Sequence, residues 1–236
     1  YIYKHVSNVA ILSAIIAGQM GFPVGRINLL VKSAILHDIG ALKLQQLPDA
    51  EDLDDGTKEV VKKNTQETLD RYGDLDEEVL RLITQMQELY TRESDAEIPA
   101  GLKESVNANI LYVADAYDRM TAMKSFEEPT SEVKAVRELL ADEERYNKKI
   151  VNALIHGISI LYPGVCVELS NGEKGLVITE NEDNIFEPTV LDFRNNNLYD
   201  LSDPSVKQTI EIADVMKTMD NRIKLDKSLL EEYQAN

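Results

Sequence analysis

Apolar residues in the first two thirds of the chain recur every three to four positions. Ile2, Val6, Val9, Ala10, Leu12, Ile16 and Ala17 form one helical stripe, which Gly21-Phe22-Pro23 stops. His5 stands one turn before Val9 and shares its inward face. A second helix is predicted over 26–37, with Leu29, Leu30, Ser33, Ala34 and Leu36 on one side. Residues 42–56 lose the period and gather acid, the composition of a solvated loop. Helices follow over 57–72, with Val60, Val61, Asn64, Thr68 and Leu69 inward, and over 76–89, with Val79, Leu80, Leu82, Ile83 and Met86 inward. After a polar connection over 91–105, Ile110, Val113, Ala114 and Tyr117 mark another helix, with Asp115 flanking the stripe and Asp118 one turn further on. Pro129-Thr130-Ser131 signals one more start, and Ile150, Leu154 and Ile158 mark the last helix before Pro163-Gly164.

Beyond that point the period changes to two. Val165, Val167 and Leu169 alternate, Asn171-Gly172 supplies a tight turn, and Leu176-Val177-Ile178 returns the chain. Further strands are predicted over 189–193, 198–201 and 208–212. The fold class is therefore mainly α: a helical bundle over 1–162, a small β module over 163–212, and a charged terminal helix over 213–236. Because the chain opens inside a helical pattern, a further segment is expected before Tyr1.

Composition narrows the partners. The net charge of −17 opposes a nucleic-acid backbone or an anionic membrane as main partner. A small phosphorylated ligand stays compatible, because a bound cation sets the local sign. Cys166 is the sole cysteine, so no intrachain disulfide forms, and a cytoplasmic location is expected. No apolar run is long enough for a bilayer.

Candidate chemistry sits in Ser33-Ala34-Ile35-Leu36-His37-Asp38-Ile39-Gly40. Imidazole and carboxylate are both ligands for divalent cations, and Gly40 supplies the backbone angles that end a helix and can turn both side chains to one point. The plainer alternative is a core-edge histidine beside a solvated aspartate. His5 upstream and Asp115 in Tyr112-Val113-Ala114-Asp115-Ala116-Tyr117-Asp118 favour the ligand reading. If Asp38 and Asp115 converge at about 4 Å, they repel by about 4 kcal/mol at an effective dielectric near 20, a cost a cation removes.

This order of His, His-Asp and Asp resembles the HD phosphohydrolase superfamily. The wording of 4–10, 36–40 and 110–122 resembles its HD-GYP branch, which hydrolyses cyclic di-GMP. The resemblance implies an HD-type bundle, one divalent ion (Fe, Mn, Mg or Zn) on His5, His37, Asp38 and Asp115, and His37 and Asp38 as catalytic residues. It implies Asp118 as an acceptor orienting a histidine, and a nucleotide or cyclic dinucleotide as ligand.

Other positions depart from the branch. Tyr1 stands where it has a glutamate, Ala41 where it has a phosphate-contacting lysine, and Asn64-Thr65 where it has a His-Pro pair. Gln85-Met86-Gln87-Glu88 stands nearest its His-His-Glu triplet, leaving Glu88 as a substitute carboxylate, and its loop shrinks to Glu97-Ile98-Pro99. His156 lies outside every matched motif. A degenerate domain is thus expected, a sensory or interaction module with a protein partner and little or no cyclic di-GMP hydrolysis. The alternative is an active mono-metal phosphohydrolase on a nucleotide or other phosphoester.

Overall fold

The first stripe becomes α1 (Ile2–Gln19), which buries His5, Val9, Ala10, Ser13, Ile16 and Ala17. The structure is a computed structural model that describes residues 2–44, 54–72, 75–92, 97–123 and 128–216. Gly21, with φ +71°, reverses the chain into α2 (Val24–Leu36), whose core residues are Leu30, Ser33 and Ala34. A 3-10 turn over Ile39–Lys43 follows directly. Next come α3 (Asp55–Arg71) and α4 (Glu77–Tyr90). Each is started by an aspartate that accepts a first-turn amide: Asp54 from Thr57 at 2.8 Å and Asp76 from Glu78 at 2.9 Å. A short α5 (Ala100–Lys103) leads to α6 (Val106–Thr121), which is buried almost all round. Next come α7 (Glu132–Ala141) and α8 (Lys148–Ile158).

Two compact units result, residues 1–130 with 135–158, and residues 131–134 with 159–236. In the first, α1 packs against α2, α6 and α8, α4 against α2 and α6, and α3 against the 3-10 turn. The beginning of the chain, the end of α2 and the middle of α6 therefore meet inside one bundle.

In the second unit the sheet order is β4-β3-β2-β1-β5, all antiparallel, from β1 (Cys166–Leu169), β2 (Lys174–Thr179), β3 (Thr189–Asp192), β4 (Leu198–Asp200) and β5 (Ile212–Val215). Asn171-Gly172 makes the β1–β2 turn: Gly172 takes φ +83° and Asn171 Oδ1 accepts the Glu173 amide at 3.0 Å. Val167, Leu169, Val177, Val190 and Leu191 are buried. A short α9 (Pro204–Lys207) precedes β5. No helix among the described residues is long and apolar enough to cross a membrane.

Several elements differ from the pattern. Val60 is 48% exposed, because the buried stripe of α3 runs Val61, Thr65, Leu69 and turns its neighbour outward. The predicted loop over 42–56 is trimmed at both ends by the 3-10 turn and by the start of α3, and 45–53 lie outside the described residues. The last strand is Ile212–Val215 rather than 208–212. The predicted terminal helix therefore begins as strand, pinned where β5 pairs with β1, and 217–236 lie outside the described residues.

Candidate metal centre

Four side chains from three elements converge in the first unit. From α1 comes His5, from the α2 terminus His37 and Asp38, and from α6 Asp115; one ligand atom of each lies within 4.8 Å of all the others. All are buried, His5 completely and Asp38 at 5% exposure. His5 Nε2 is 2.9 Å from Asp115 Oδ1 and 3.7 Å from Asp38 Oδ2. His37 Nε2 is 3.3 Å from the same Asp115 oxygen and 3.6 Å from the same Asp38 oxygen.

The far nitrogen of each ring is spoken for. His5 Nδ1–H donates to Asp118 Oδ2 at 2.7 Å, and Asp118 Oδ1 accepts from Asn8 Nδ2 at 2.7 Å. His37 Nδ1–H donates to the Ala34 carbonyl, 2.6 Å away and one turn back. With Nδ1 protonated on both rings, both Nε2 lone pairs face the carboxylates, the tautomer a metal-binding histidine needs. A lone pair and a carboxylate oxygen at 2.9 Å repel unless a proton or a cation lies between them. Metal–ligand bonds of about 2.0–2.2 Å place neighbouring donors roughly 3–3.5 Å apart, so these separations suit an ion. Two imidazoles with two carboxylates form a ligand set for a hard or borderline divalent ion, and the group can hold one.

Without the ion, protons and Arg119 carry the compensation. Burial works against a proton on His5, as does Arg119, but the hydrogen bonds to Asp115 and Asp118 prevail and raise its pKa. Burial pushes Asp115 up; Arg119 and both imidazoles outweigh it and hold the carboxyl well below the usual range. Asp38 follows the same pattern, with His37 the main opposing charge to its burial. Arg119 donates from Nε to Asp115 Oδ2 at 2.8 Å and from Nη2 to Asp38 Oδ2 at 2.9 Å, while its guanidinium carbon lies 4.5 Å from the Tyr90 ring centroid.

The His37-Asp38 hinge is fixed by space. Gly40 lies inside the 3-10 turn and not at a left-handed helix end; among the described residues the glycines with positive φ are Gly21, Gly164 and Gly172. A Cβ on Gly40 would lie 2.2 Å from the Val61 carbonyl oxygen and 2.3 Å from the Thr65 nitrogen. Only glycine lets the turn lie this close to α3. The Gly40 amide donates to Thr65 Oγ1 at 3.0 Å, and Gln87 Nε2 donates to the His37 carbonyl at 2.8 Å.

A family model for the HD domain matches residues 2–120, half of the chain. The chain belongs to the HD domain family. HD domains make up a superfamily of metal-dependent phosphohydrolases, and the matched segment contains all four residues of the centre. A comparison with curated proteins gave no match.

The remaining candidates of this HD domain fall elsewhere. Glu88 is exposed on α4 and outside the four-residue group, so it does not substitute as a ligand there; the helix turns Gln87 inward instead. His156 is exposed near the end of α8. Tyr1 lies outside the described residues. Sequence reasoning overlooked Arg119, Asn8 and Tyr90. The first two were within reach: Arg119 is four residues after Asp115 and Asn8 three after His5, spacings that place side chains together on a helix.

Proposed function

We propose that the helical unit is an HD-GYP-type domain reduced to a single divalent ion, serving as a sensory or interaction module with little or no cyclic di-GMP phosphodiesterase activity. The observation that carries this reading is the placement of Gln87 and Asn64. They stand at or near positions where the HD-GYP branch has histidines, and each spends its amide on a backbone carbonyl. Gln87 donates to His37 O at 2.8 Å and Asn64 to Gly40 O at 3.4 Å. These amides brace the His37-Asp38 turn. Ala41, at the position of the phosphate-contacting lysine, is 1% exposed and packs with Ile2 and Val61. Among the described residues, His5, His37, Asp38 and Asp115 are the one group with the make-up of a metal centre.

In this reading His5 and His37 would hold the ion through Nε2, with Asp115 and Asp38 each giving a carboxylate oxygen. Asp118 and the Ala34 carbonyl hold the rings by their Nδ1 protons. A divalent ion bound there supplies Lewis acidity toward water or a phosphoryl oxygen. Ala41 brings no charge to the phosphodiester, and Arg119 is already engaged by Asp38 and Asp115; one lost contact of this kind typically costs about 10²–10³ in rate. The ligand is a nucleotide or cyclic dinucleotide, the partner a protein, and the setting the cytoplasm.

Elemental analysis of the purified chain should give one ion per chain, lost in His37→Ala. Long incubation with cyclic di-GMP and Mn²⁺ or Fe²⁺ should give turnover well under about 1 per second, the lower end for natural enzymes. Two ions per chain, or turnover above that rate, overturns the proposal. Fast hydrolysis of a simpler phosphoester with one ion bound would instead establish the mono-metal phosphohydrolase.

A further inference from the structure

We infer that Arg119 is a resident countercharge that occupies part of the metal centre, restricts it to one ion and weakens the hold on that ion. Its two donating nitrogens span the two carboxylates most directly concerned. On Asp115 the division is clean: Oδ1 faces the imidazoles, and Oδ2 takes the guanidinium. On Asp38 it is not. Oδ2 lies 3.7 and 3.6 Å from the two Nε2 atoms and also takes Arg119 Nη2 at 2.9 Å. An ion on this oxygen therefore shares it with a fixed cation.

The charge balance shows the consequence. Two neutral imidazoles and two carboxylates offer an incoming ion two negative charges, and the guanidinium cancels one of them. A second divalent ion would meet a ligand set already neutralised by the first ion, with a further positive charge beside it. Arg119 is also hard to displace, since its side chain is 14% exposed, its fork is bonded at two points and its face lies over Tyr90. In the ion-free state it ties the end of α2 to α6, because Asp38 follows α2 and Arg119 itself stands on α6.

The inference rests on the single-ion reading of the centre, and the test separates the two. Mn²⁺ is titrated calorimetrically into the chelator-stripped full chain of the wild type, Arg119→Gln, Arg119→Lys and His37→Ala, with circular dichroism on each. Removing a unit charge a few ångströms from a divalent ion should tighten binding about tenfold or more in Arg119→Gln. Lysine keeps the charge but not the fork, so the affinity order should be Arg119→Gln, then Arg119→Lys, then wild type. The stripped Arg119→Gln protein should melt lower than wild type and gain more in Tm from Mn²⁺. If Arg119→Gln lacks helical signal when stripped, the Arg119→Lys comparison decides. A variant binding no tighter than a wild type that takes up one ion overturns the role of Arg119 alone. A wild type that binds no ion, or two, overturns the single-ion reading and this inference with it.

Discussion

Replacing Gly40 by alanine adds one methyl group, and the structure fixes what it must meet. The new Cβ would fall 2.2 Å from the Val61 carbonyl oxygen, 2.3 Å from the Thr65 nitrogen and 2.5 Å from Thr65 Oγ1. Two of these atoms are helix backbone, so no side-chain rotation relieves the overlap; the 3-10 turn must lift away from α3. Overpacking of this kind costs about 1–3 kcal/mol. Lifting the turn also breaks the Gly40–Thr65 hydrogen bond, a further loss of about 1 kcal/mol. The sum, about 2–4 kcal/mol, corresponds to a fall in Tm of roughly 4–16 °C for a domain of this size. The larger effect should be on the ion. His37 and Asp38 are anchored to the same turn, and a shift of half an ångström spoils ligand geometry. Thermal melts followed by circular dichroism in chelator measure the first effect, and Mn²⁺ titration the second. Gly40→Ala with wild-type stability and wild-type affinity would refute the claim that glycine is kept here for close approach.

Three further outcomes follow from the same structure. Asp118→Asn removes the charge that holds the His5 Nδ1 proton, and metal affinity should fall about 10–100-fold with helical content unchanged, as calorimetry will show. In the stripped protein Asp38 and Asp115 have folded pKa values below their unfolded value of about 3.9. The unfolded chain therefore takes up their protons first, and their contribution, full above about pH 4, is lost as pH falls through the depressed values; urea midpoints against pH should show this drop. Gly172→Ala forces a Cβ into left-handed backbone at φ +83° and should destabilise the β unit by about 1–2 kcal/mol, measurable as faster amide exchange in β1 and β2.

Much of this was legible in the chain because periodicity reports burial directly. The His5, Val9, Ile16 stripe and the Ile110, Val113, Ala114, Tyr117 stripe both became buried helix faces. Phase errors came where two apolar residues stood side by side: Val60 and Val61 are equally apolar, and only packing decides which turns inward. Near 212 the pattern was ambiguous. Ile212–Val215 is short, with one fully buried residue, and its strand character comes from pairing with β1. In the candidate centre, residue types pointed to the four side chains that converge, whereas the role of Gly40 depended on a neighbour 21 to 25 residues away, a distance local rules do not cover. Arg119 was missed for a related reason. Its partner Asp115 is one turn away, but Asp38 is 81 residues away.

The positions of His5 and Asp115 along the chain have a consequence for biosynthesis. These partners are 110 residues apart, so a nascent chain emerging amino end first exposes His5, His37 and Asp38 well before Asp115 exists to join them. During that interval the group lacks both Asp115 and the guanidinium that neutralises it. Asp115 and Arg119 arrive together, when α6 docks. The helix that completes the group is thus also the one that brings its countercharge.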